Sequence, residues 1–90
     1  MAGARRIVVT GHVQGVFFRA WTREQAEALG VSGWVRNRPD GSVEAVIEGD
    51  DGQLDAMEAR LREGPAHARV DTLESGPSTP MNLGGFVIRH

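Results

Sequence analysis

Ile7-Val8-Val9-Thr10, followed by Gly11-His12-Val13-Gln14-Gly15-Val16-Phe17-Phe18-Arg19, is the stretch on which the reading of this chain turns. β-favouring residues run into a loop with two glycines, and a helical pattern begins directly after it. At such a turn the first N–H groups of the helix have no carbonyl partner, and the aligned peptides add roughly half a positive charge. Glycine lets the loop bring its amides into one hollow. Arg19 stands at the mouth with a planar fork of donors that suits phosphate oxygens. The stretch reads as an anion cradle with its own cation, the N–H groups of Gly15, Val16, Phe17, Phe18 and Arg19 being the donors.

Around this loop the composition is that of one folded domain. Ninety residues are enough for a core without disulfides or a structural metal. Hydrophobic residues at 40% and charged ones at 24% place the chain among ordinary globular sequences. A net charge of −2 offers no basic field, so neither nucleic acid nor an acidic membrane is expected as a partner. There is no cysteine, which excludes a disulfide scaffold, thiolate metal sites and a Cys nucleophile. No apolar run reaches spanning length and Met1 to Arg6 has no signal-peptide core, so the expected compartment is the cytoplasm. A monomer is the expected state for a domain this small.

The periodicities predict β-α-β-β-α-β with an added terminal strand. Arg6–Thr10 reads as the first strand. A helix over about Phe18 to Leu29 places Phe18, Thr22, Ala26 and Leu29 on one face, with Gly30 as its C-cap. No Ser, Thr, Asp or Asn caps its start, and a bound anion is the natural partner for the orphan N–H groups. Val31–Arg38 and Ser42–Gly49 read as strands joined by Pro39-Asp40-Gly41, a sequence of turn formers. Val43, Ala45 and Ile47 alternate with Glu44 and Glu48, as in a half-buried strand. A second helix opens at Asp50 or Asp51, with Gln53 completing a capping box, a stripe of Leu54, Met57 and Leu61, and Gly64-Pro65 as its end. Ala68–Leu73 is a fourth strand and Gly85–Arg89 a short fifth. Two split βαβ units of this order build an α+β, ferredoxin-like sandwich, an antiparallel sheet with both helices on one face.

The Gly11–Arg19 motif, together with Gly33-Trp34-Val35-Arg36-Asn37 and Asp40-Gly41-Ser42-Val43-Glu44, closely resembles the acylphosphatase family. The similarity covers nearly the whole chain, including Phe86-Val87-Ile88-Arg89, whereas Ser75–Gly84 departs from the family pattern. The resemblance implies hydrolysis of a small-molecule acyl phosphate to a carboxylate and inorganic phosphate, with no metal and no cofactor. It implies that Arg19 binds the phosphate and that Asn37 orients the attacking water.

The residue types suit that chemistry independently. Arginine stays protonated at neutral pH and cannot act as a base, and asparagine has no proton to titrate. A site built on these two suits a leaving group that needs no acid. The carboxylate of an acyl phosphate, with a pKa near ~4, is such a group. An alkyl phosphate would want an acid or a metal.

Blander readings accompany each motif. The loop glycines could serve only a structural turn. Asn37 could be a turn residue before Pro39. His12 and His67 are candidate acid–base groups that the chemistry does not need, and His90 reads as frayed. Trp21 and Trp34 could line an acyl pocket or simply pack. Arg36 and Arg38 could attract an anionic substrate or form a solvated face. Glu48, Asp50 and Asp51 match no metal-binding loop. The competing function is a non-catalytic ferredoxin-like ligand-binding or regulatory module. RNA recognition is disfavoured because Ser42–Gly49 carries no aromatic residue. A module of a larger carbamoyl-phosphate enzyme is a further alternative, and a chain with no second domain favours a free-standing hydrolase.

Overall fold

The computed structural model describes residues 2–82 and 84–90. The elements follow the expected order: β1 (Ala2–His12), α1 (Phe18–Leu29), β2 (Ser32–Asn37), β3 (Val43–Asp50), α2 (Asp51–Glu63), β4 (Arg69–Ser78) and β5 (Phe86–Arg89). One sheet runs β4-β1-β3-β2-β5. β1 pairs antiparallel with β3 and β4, and β2 antiparallel with β3. β5 lies parallel to β2, so the sheet is mixed rather than wholly antiparallel. The reason is topological. β4 and β5 occupy opposite edges, and the segment joining them stays at one end of the sheet, so β5 must run back in the direction of β1 and β2.

Alternation along the strands sorts the side chains. Ile7 and Val9 of β1, Val35 of β2, Val43, Ala45 and Ile47 of β3 and Phe86 of β5 turn to the helices. There they meet Phe18 and Ala26 of α1 and Leu54, Met57 and Leu61 of α2 in one buried cluster. The predicted helix faces are the observed ones. Gly30 ends α1 in the left-handed region at φ 73°. At the start of α2, Gln53 Oε1 accepts the Asp50 N–H at 2.8 Å. The same amide donates to the Leu29 carbonyl at 2.9 Å, fastening the end of α1 to the start of α2.

The other sheet face departs from expectation. Glu44 and Glu48 are buried rather than solvated, at 4% and 8% exposure. Arg6 and Arg36, on the neighbouring strands, both bind the Glu44 carboxylate, the latter at 2.6 Å. Burial alone would push the Glu44 pKa up, but the bonds and charges of Arg36 and Arg6 outweigh it and hold the carboxyl below its ordinary value. Glu48 accepts the backbone N–H of Met81, which brings the segment after β4 under the sheet.

Two strands exceed their predicted spans. β1 extends to both sides of Arg6–Thr10, and β4 continues past Leu73 to Ser78. The first part of Ser75–Gly84 is therefore strand, and Leu83 lies outside the described residues. β1 bulges between Thr10 and Gly11. Gly11 has φ 124°, and a Cβ there would lie 2.2 Å from the Arg69 carbonyl oxygen, so only glycine fits. The bulge bends the strand end into the loop that precedes α1.

Candidate active site

Three strands, β1, β2 and β5, run in the same direction and finish at the same end of the sheet. α1 starts over that end. Within the loop feeding it, Gly15 has φ 74° and Phe17 has φ 61°, both left-handed. Left-handed residues alternating with others curl a backbone so that successive N–H groups face one concavity. No side chain caps α1. Among the described residues, no protein acceptor takes the N–H of Gly15, Val16, Phe17, Phe18 or Arg19. The orphan donors read from the sequence are therefore present.

Asn37 arrives from the opposite direction. It is the last residue of β2 and pairs with Val43 across the hairpin. The Asp40 carboxylate shapes the turn by accepting the Ser42 N–H at 2.9 Å and its hydroxyl at 2.5 Å, which together hold the Asp40 carboxyl below its ordinary value. Alternation from buried Val35 turns Asn37 to the helix side of the sheet. Val35 is paired with Ile88 of β5, so the next residues on that face are Asn37 and His90.

Gln14 couples the two halves. Its side-chain amide donates to the Arg38 carbonyl at 2.8 Å and the Ser42 carbonyl at 2.9 Å, on both sides of the turn that follows Asn37. The cradle loop and the hairpin are thus held in one register. Arg19 Nη1 lies 3.2 Å from His90 Nδ1. A guanidinium can only donate, so Nδ1 is the acceptor in this contact.

These groups surround one cavity of about 310 Å³. Gly15, Phe17, Phe18, Arg19 and Asn37 of the predicted set line it, and Val13, Ala20, Ile88 and His90 complete the wall. Val16 turns its side chain into the core. Beyond Val13 and Ala20, which adjoin the predicted loop, sequence reasoning missed Gln14, Ile88 and His90. A glutamine set between two loop glycines was a usable signal for the first. The other two depend on which strand β5 joins, and His90, read as frayed, instead meets Arg19.

The remaining candidates lie elsewhere. His12 and His67 are exposed and do not line the cavity. Trp21 packs edge-on against Phe18 at 5.6 Å, and Trp34 lies beneath the Arg89 guanidinium at 4.5 Å, so both indoles are packing residues. Arg36 serves Glu44 on the opposite sheet face. Among the described residues, no group of His, Asp and Glu side chains is arranged to hold a metal ion.

Comparisons with known proteins bear on the family and the fold. The acylphosphatase family model matches residues 5–88. An acylphosphatase of Rubrobacter xylanophilus is 62% identical over 69 residues, covering 77% of this chain and 63% of that protein. One of Rhizorhabdus wittichii is 59% identical over 83 residues, covering 92% and 84%. The solved structure of an acylphosphatase from Coxiella burnetii superposes with a TM-score of 0.94 at 34% identity, covering 98% of this chain and 93% of that one. A family match across almost all of the sequence, on a fold shared with a solved member, leaves one conclusion: this chain belongs to the acylphosphatase family.

Proposed function

We propose that the protein hydrolyses acyl phosphates at this cavity and that Arg19 and Asn37 are its catalytic residues. The observation that carries the reading is the meeting of Arg19, Asn37 and the uncapped loop on one cavity, although they come from separate parts of the chain. The guanidinium of Arg19 and the N–H groups of Gly15 to Arg19 hold the phosphoryl oxygens. Asn37, which can position but not titrate, fixes a water in line with the P–O bond.

The acyl phosphate dianion and water yield a carboxylate and dihydrogen phosphate. The water oxygen bonds to phosphorus, the bond to the carboxylate oxygen breaks, and a phosphate oxygen of the substrate accepts the water's proton. The carboxylate departs as an anion without an acid. Catalysis here is positioning plus stabilisation of phosphoryl charge, the general pattern of phosphoryl transfer. Metal, cofactor and covalent intermediate have no part in this scheme.

Phosphate release from benzoyl phosphate and acetyl phosphate, followed with and without a chelator, tests it. Chelator-resistant release is expected. Protein that binds phosphate but hydrolyses neither compound would support a ligand-binding module, a reading that nothing in the fold or the relatives favours.

A further inference from the structure

The phosphoryl end of the cavity has defined partners, but the acyl end is marked by an anomaly at Phe17. This residue is held at φ 61° and ψ 24°, a left-handed conformation that a side chain with a Cβ adopts at a cost and a bulky one rarely adopts at all. Its ring is 85% exposed, and among the described residues it has no aromatic partner. The left-handed backbone curls the cradle, but neither that curl nor the core calls for an exposed aromatic ring. Glycine would fit the backbone better, and a polar residue would suit the solvent. Yet Phe17 lines the cavity.

The surrounding wall extends this apolar character. Val13, Ala20 and Ile88 line the cavity beside Phe17. Among the described residues its charged or titratable side chains are Arg19 and His90, and no Asp or Glu side chain lines it to balance an amino group on a ligand. With the phosphoryl group fixed at Arg19, the acyl group must leave the cradle along these residues.

We infer that Phe17 is a specificity-determining residue, an apolar platform for the acyl group, and that the preferred substrates are acyl phosphates with uncharged aromatic or branched aliphatic acyl groups. The inference rests on the hydrolase reading above. An aryl or branched acyl group stacked on the ring removes apolar surface of both partners from water, whereas an acetyl group reaches little of it.

The test is the ratio of kcat/KM for benzoyl phosphate to that for acetyl phosphate, measured on the wild-type protein, Phe17→Leu and Phe17→Gly. Any disturbance of the backbone donors affects both substrates and cancels in the ratio. In Phe17→Gly the ratio is expected to fall about five- to tenfold, with Phe17→Leu between the two. Thermal unfolding of Phe17→Gly should occur at an unchanged or higher temperature, because glycine accepts the left-handed backbone and no packed ring is lost. An active Phe17→Gly protein whose ratio changes by less than about twofold overturns the inference and leaves the hydrolase reading intact. A wild-type protein inert on both substrates overturns both.

Discussion

Arg19 and Asn37 are one cation and one neutral amide, and their replacement should show different kinetic signatures. Arg19→Ala is expected to lower kcat/KM by at least about 10²–10³, the range for loss of one aligned donor to developing charge. Arg19→Lys should recover little, because an ammonium cannot reproduce the two-pronged contact. Asn37→Ala should lower kcat far more than it weakens competitive inhibition by inorganic phosphate; normal turnover in that variant would exclude a water-positioning role. His90→Ala removes an acceptor from the Arg19 guanidinium, so a rise in KM with a smaller change in kcat is expected in steady-state assays. The legibility of these residues differed for physical reasons. Arg19 is announced by its own loop, since local chain geometry makes the cradle. Asn37 looks like any turn residue until the motif around it is matched to a family. His90 could not be read at all, because its position depends on a pairing between strands remote in sequence.

At the level of elements, the site depends on the loop before α1 staying in register with the β2–β3 turn, and Gln14 provides that link. Gln14→Ala leaves the carbonyls of Arg38 and Ser42 without this donor and is expected to lower stability by about 1–3 kcal/mol. Gln14→Glu should be worse, since a carboxylate facing two carbonyl oxygens repels where the amide donated. Urea midpoints of the two variants decide the order. The elements themselves were largely legible: hydrophobic period, a capping box and Gly30 define α1, β3 and α2 from local sequence. β4 runs past its predicted end at Leu73 through Gly76-Pro77, a pair that argues against a strand inside a sheet. Its place at the sheet edge removes that objection, since a proline facing away from the ladder forfeits no bond there.

For the molecule as a whole, the two sheet faces are stabilised differently. The helix face is a hydrophobic core, and Met57→Ala, at a fully buried position, should reduce unfolding free energy by about 2–5 kcal/mol. The other face is held by charge, which alternation alone could not show, because the burial of Glu44 depends on arginines from both neighbouring strands. The Glu44 pKa is lower in the folded protein than in the unfolded chain, so its contribution is complete above the ordinary carboxylate value. It is lost as pH falls through the lower folded value. Glu44→Gln should therefore be less stable than wild type near neutrality and show a shallower loss of stability in acid, as measured by denaturation midpoints across pH. The parallel seam between β2 and β5 also sets an order of events during synthesis. Ile88 lies on β5 and His90 directly follows it, later in the sequence than the other residues that line the cavity, so a growing polypeptide has the cradle loop before it has this wall. Closure of the cavity therefore waits on a late, long-range pairing of β5 with β2, and turnover is expected to begin only once that pairing has formed.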